Sequence, residues 1–139
     1  MDANHRPRQI KRHRLGTSPK NDEIIYNEKD ERYTVGIGLT SDEKYFLISS
    51  SDHTSTEVYY FPSNQKNPQP KLIQKREDQI IYSVNSWKDY FYLHTNKEAE
   101  DFKICRCKKT DMFKWKDFIL AKNEVLIGGF TMLNDWMVR

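Results

Sequence analysis

Alanine occurs only at positions 3, 99 and 121, and glycine only five times. Alanine is the best helix former, whereas aromatic and β-branched residues favour strands. With 8 Tyr, 7 Phe and 3 Trp in 139 residues, the balance points to strands. Long hydrophobic runs are missing too: mean hydropathy is -0.89, and no stretch approaches the ~18 apolar residues of a membrane helix. The basic N-terminus has no apolar run behind it, which excludes a secretory signal and a membrane partner. Cys105 and Cys107 are the only cysteines. Two residues apart, they would form a strained disulfide, so free thiols and a cytoplasmic location are expected.

Catalytic motifs are equally scarce. A serine hydrolase of the nucleophile-elbow type needs Gly-x-Ser-x-Gly, because small residues let the strand turn sharply and expose the hydroxyl. The glycines stand at 16, 36, 38, 128 and 129, and none brackets a serine. Gly36-x-Gly38 follows an apolar strand but precedes no helix pattern, so a dinucleotide site is excluded. These two read as strand positions that a neighbouring group approaches closely. His5 and His13 fall in the basic arm, His53 in a turn and His94 in a strand, all read as surface or strand residues. Cys105-x-Cys107 puts two sulfurs on one strand face, but zinc needs four ligands and no second pair exists. No catalytic, cofactor-binding or metal-binding residue is assigned.

What is present is a repeat. "YTVGIGL" (33–39), "YFLIS" (45–49), "EVYYF" (57–61) and "KLIQ" (71–74) are separated by turn signals. The series restarts with "IIYSV" (80–84), "YFYLHT" (90–95), "FKICRC" (102–107) and "DFIL" (117–120). The connection "KKTDMFKWK" lies before the last of these. A third start follows in "VLIGGF" (125–130) and "WMVR" (136–139). Tyr45, Tyr90 and Trp136 are spaced by about 45, as are Val58 and Ile104, Ile73 and Ile119, and Ile81 and Ile127. Four short strands per ~45 residues is the pattern of a β-propeller blade. Strand centres apolar on both faces suit sheets stacked between neighbours. The competing architecture is a β-sandwich with accidental spacing.

The expected fold is all-β: an incomplete propeller of about three four-stranded blades, within one partial domain over 1–139. Residues 1–20 form a basic arm or first strand, and 21–61, 71–107 and 115–139 the blade repeats. Propellers close with about four to eight blades, so the unfinished third repeat marks a piece of a larger ring, and Arg139 is not expected to be a natural domain end.

Charge is uneven. Net charge is +3, but residues 1–20 carry six Lys/Arg against Asp2, and the remainder 17 Lys/Arg against 19 acids. The arm at 5–15 could neutralise phosphates, yet no aromatic is interleaved, and Ile10 and Leu15 fit an edge or cross-over strand. Nucleic-acid binding is therefore the weaker alternative. Asp22, Glu23, Glu28, Asp30 and Glu31 read as a solvated turn face.

Four phrases carry a resemblance: His13-Arg14-Leu15-Gly16-Thr17, Asp30-Glu31-Arg32-Tyr33-Thr34-Val35-Gly36-Ile37-Gly38, Ser55-Thr56-Glu57-Val58, and Thr95-Asn96-Lys97-Glu98-Ala99-Glu100-Asp101-Phe102. In this order and spacing the chain resembles the N-terminal propeller of oligopeptidase B (protease II), within the prolyl oligopeptidase family of serine peptidases. The resemblance implies a seven-bladed propeller over an α/β-hydrolase domain, admitting only short peptides that are cut after basic residues. It implies that this chain is a non-catalytic portion, roughly a fifth of such an enzyme, needing a complementary segment with the remaining blades and hydrolase domain. Isolated, it is expected to self-associate through open strand edges and blade faces. The alternative is a stand-alone protein-interaction module.

Overall fold

The computed structural model describes residues 5–111 and 114–139. Residues 1–4 of the expected basic arm and 112–113 of the "KKTDMFKWK" connection lie outside the described residues. Twelve strands are described: β1 (Gln9–Arg12), β2 (Glu23–Asn27), β3 (Thr34–Leu39), β4 (Tyr45–Ser51), β5 (Thr56–Pro62), β6 (Lys71–Gln74), β7 (Tyr82–Trp87), β8 (Tyr90–Thr95), β9 (Lys103–Lys108), β10 (Lys116–Ile119), β11 (Thr131–Met132) and β12 (Met137–Val138). They form two four-stranded antiparallel sheets, β3-β4-β5-β6 and β7-β8-β9-β10, with the hairpins β1-β2 and β11-β12 as separate pairs.

The alternation of each strand determines what meets across the stack. On one face of the first sheet, Val35, Ile48 and Phe61 pack with Ile10, Ile25 and Tyr26 of the N-terminal hairpin. The opposite face puts Val58, Tyr60 and Ile73, with Tyr45 and Leu47, against Tyr82, Phe91, Leu93 and Cys107 of the second sheet. The second sheet's other face carries Tyr92 and Ile104, covered by Ile127, Phe130, Met132 and Met137. Each four-stranded sheet is thus apolar on both faces because both faces are covered. Ile48, Phe91 and Ile104 are almost completely buried, at ~1.5–3 kcal/mol of transfer free energy per large apolar side chain.

Several expectations are corrected. The repeats expected over 21–61, 71–107 and 115–139 are offset from the sheets, because Lys71–Gln74 pairs back on β5 and completes the first sheet. The run 125–130 is not a strand: Val125 makes an isolated bridge to Lys122, and pairing resumes at β11. Gly128 and Gly129 have no side chain to pack, which weakens strand formation there. Ile127 is nonetheless buried, its amide donating to the Asp101 carbonyl at 2.8 Å. Trp136 lies just before β12 rather than in the expected strand: its carbonyl accepts from Leu133 N–H to close the turn, and its side chain is exposed. Ile10 lies in β1 opposite Tyr26 as expected of a strand, but Leu15 lies beyond the strand end and is exposed.

Candidate functional site

Antiparallel topology sends the turn after the first strand of each unit to the same edge of the stack. At the first junction, turn 40–44 reaches the end of β7. Ser41 N–H donates to Asn85 Oδ1 at 3.0 Å, and Asn85 Nδ2 donates back to Ser41 Oγ at 2.8 Å. Asp42 Oδ2 accepts from Ser86 Oγ at 2.6 Å and Lys109 Nζ at 3.1 Å, while its Oδ1 accepts from Thr40 Oγ1 at 2.7 Å. Burial disfavours the Asp42 carboxylate, but these donors outweigh it and hold its pKa below the ordinary value. At the second junction, Trp87 Nε1 donates to the Asn134 carbonyl at 3.2 Å, and Lys88 Nζ lies 3.9 Å from Asp135 Oδ1 and 4.5 Å from the Trp87 ring centroid. A cavity of about 600 Å³ lies between these turns, with Asp42, Lys44, Trp87, Lys88, Leu133 and Asp135 among its lining.

A second cluster knits the opposite edge. Glu28, from the supposed solvated acidic face, is buried. Its carboxylate accepts from Ser50 Oγ at 2.5 Å, the Asp30 amide at 2.9 Å and Arg76 at 3.0 Å. Burial pushes its pKa up, but those hydrogen bonds and the Arg76 charge bring the net value below the usual range. The Arg76 guanidinium lies 3.4 Å over the Tyr33 ring, and its backbone amide donates to Glu57 at 3.1 Å. The solvated-face expectation therefore fails at Glu28: a cation from the loop after β6 makes burial of the acid tolerable.

A third feature is a cleft of about 620 Å³ between the sheets, floored by Ile73, Leu93, Cys105 and Trp115. Cys105 donates its thiol to Asp117 Oδ1 at 3.3 Å, and Lys103 reaches the same oxygen at 3.2 Å. Burial, with Asp117 beside it, pushes the Cys105 thiol up to about 11. At neutral pH it is a thiol, a weak nucleophile. Cys107 is buried in the inter-sheet core.

The other residues singled out by sequence are dispersed. His94 Nε2 lies 2.6 Å from the Ile127 carbonyl, and its ring stacks on Phe102. His13 Nδ1 lies 2.7 Å from Asp22 Oδ1, and His5 and His53 are exposed. A Cβ on Gly36 would come 3.4 Å from Ser49 Oγ, the close approach expected there, whereas Gly38 faces open space. In the basic arm, Arg6 donates to the carbonyls of Asp30 and Tyr33, and Arg12 to Glu23 and the Lys66 carbonyl. Arg76 with Glu28, Asp42 with Lys109, and the Trp87–Asn134 and Lys88–Asp135 contacts carried no sequence signal, because the partners come from distant parts of the chain, 48 residues away for Arg76, 67 for Asp42 and 47 for Trp87.

A family model described as prolyl oligopeptidase, N-terminal beta-propeller domain matches residues 1–138. The chain belongs to this family. Protease 2 of Moraxella lacunata is 33% identical over 112 residues, which cover 81% of this chain and 16% of that protein. Dipeptidyl aminopeptidase BI of Pseudoxanthomonas mexicana is 28% identical over 134 residues, 94% of this chain and 18% of that protein. Oligopeptidase B from Trypanosoma brucei, solved in a closed form with covalently bound antipain, superposes with a TM-score of 0.91 at 23% identity, over 98% of this chain and 20% of that one. The chain therefore spans under a fifth of the length of these two curated relatives. As part of a prolyl oligopeptidase propeller, its two four-stranded sheets are blades.

Proposed function

We propose that the chain serves as part of the entry-restricting propeller of an oligopeptidase B-like serine endopeptidase that cuts short peptides after basic residues. In this reading the chain binds and gates but does not cleave. Its partner is a polypeptide segment that supplies further blades and an α/β-hydrolase domain, and peptides are met only through that assembly. The carrying observation is the family match over residues 1–138 together with 33% identity to Protease 2 of Moraxella lacunata. The sequence has no Gly-x-Ser-x-Gly, which supports the non-catalytic role. Cys105 and Cys107 form no disulfide, which supports a cytoplasmic setting. The bonds that Arg6 and Arg12 make to other parts of the chain support this reading over nucleic-acid binding by the arm.

The test is reconstitution. The chain is mixed with the part of Moraxella Protease 2 that lies outside the matched segment, and release of a chromophore after arginine is followed. The chain alone is expected to be inactive, and the mixture to cut short arginine peptides while sparing folded proteins. Hydrolysis by the chain alone, or a mixture no more active than the Moraxella segment by itself, would overturn the proposal.

A further inference from the structure

The second junction contains a cation already sitting in a cation-binding arrangement. Trp87 is the last residue of β7. Its indole N–H is fixed by the Asn134 carbonyl, which sets the plane of the ring. Lys88 then adopts a φ of 51°, in the left-handed region that L residues rarely enter. That turn brings its ammonium back over the ring at 4.5 Å and to within 3.9 Å of Asp135. An aromatic face with a carboxylate beside it is the chemistry that selects ammonium and guanidinium groups. Both charged groups are well exposed, with side-chain exposures of 57% for Lys88 and 69% for Asp135. The lysine is held loosely and can be displaced.

The adjoining cavity of about 600 Å³ has room for an arginine side chain, and Lys44 stands on its wall from the preceding turn. We propose that this cradle, occupied internally by Lys88, binds the C-terminal basic residue of a peptide. The side-chain cation takes the place of Lys88 between Trp87 and Asp135, and the carboxylate turns toward Lys44. A peptide ending in arginine or lysine is what cleavage after a basic residue releases, so the cradle would hold product at the propeller. The preference for a cation follows from Trp87 and Asp135 alone; that it arrives on a peptide end rests on the proposed peptidase reading.

The test uses the full chain and the ¹H–¹⁵N signal of the Trp87 indole. N-acetyl-arginine, N-acetyl-arginine amide and N-acetyl-citrulline are titrated separately. Citrulline keeps the shape of arginine without its charge. Affinity is expected to fall in that order, by at least about threefold per step. Lys88→Ala, and Lys88→Gly, which suits the positive φ, are expected to tighten N-acetyl-arginine about fivefold by removing the internal competitor. Trp87→Leu and Asp135→Asn are expected to weaken it by a similar factor. Equal binding of N-acetyl-citrulline and N-acetyl-arginine, or no gain in both Lys88 variants, would overturn the proposal. Binding of N-acetyl-arginine with a failed reconstitution would remove the peptidase reading and leave the cradle standing. The converse would remove the cradle alone.

Discussion

Replacing Arg76 by methionine should be among the most damaging single changes at a charged position in this chain. The substitution keeps much of the side-chain volume but leaves Glu28, 8% exposed, without its cation. It also removes the donor to Ser50 Oγ at 2.8 Å and the guanidinium over Tyr33. Breaking one side of a buried pair costs about 3–5 kcal/mol. Part is offset, because Arg76 Nε is buried without a hydrogen-bond partner among the described residues, and removing such a donor recovers about 1–3 kcal/mol. The expected net loss is about 2–3 kcal/mol, or near 10 °C in Tm at this chain length. Glu28→Gln added to Arg76→Met should restore part of it, since the stranded charge is then gone. Glu28 has its pKa held below the ordinary 4.5, so its contribution is present above that pH and lost as pH falls through the folded value. The gap between wild type and Arg76→Met should accordingly narrow in acid. Thermal unfolding by near-ultraviolet circular dichroism, at one protein concentration and a series of pH values, measures all three effects. A variant within 0.5 kcal/mol of wild type, or strict additivity in the double mutant, would refute the argument.

Asp42→Ala should lower the urea midpoint by the equivalent of about 3 kcal/mol, because Ser86 and the largely buried Lys109 lose their acceptor. Asp111→Ala, which breaks the exposed pair with Lys114, should change it by less than about 0.5 kcal/mol. Phe91→Ala, at the centre of the interface between the sheets, should cost about 3–5 kcal/mol in the same measurement. Cys105 should react slowly with a disulfide reagent at pH 8 and faster by about tenfold per pH unit up to about 11, where its thiol ionises; fast reaction of the native chain at pH 7 would contradict this. Leu126 and Trp136 are 69% and 72% exposed; changing both to lysine should shift sedimentation from associated toward monomeric species.

The fold was legible because blade packing leaves two local signatures in a chain. Strands covered on both faces are apolar at successive positions, as in Tyr45–Ile48 and Tyr90–Leu93, and each unit returns after about 45 residues. The two sheets, β3-β4-β5-β6 and β7-β8-β9-β10, each hold four strands as that period implies, although the pairing of β6 back on β5 shifts their boundaries from the expected ones. Legibility failed at 125–130, where Ile127 occupies its repeat position and is buried, yet Gly128-Gly129 breaks the pairing that the period implies. It failed at Glu28 for a different reason. A run of acids looks solvated unless its cation is visible, and Arg76 enters from 48 residues away. The cradle at Trp87 and Lys88 was hidden in the same way, since its acid comes from the next unit's turn, 47 residues on. These polar contacts all sit at junctions between units. A repeat shows what each unit shares with the next and therefore predicts the stacked apolar faces. What individual turns do to one another varies from junction to junction, here an Asp–Lys–Ser clasp at one and a Trp–Lys–Asp cradle at the following one. In a scaffold of repeated sheets, specific chemistry belongs to those variable turns, which is where the binding proposal above is placed.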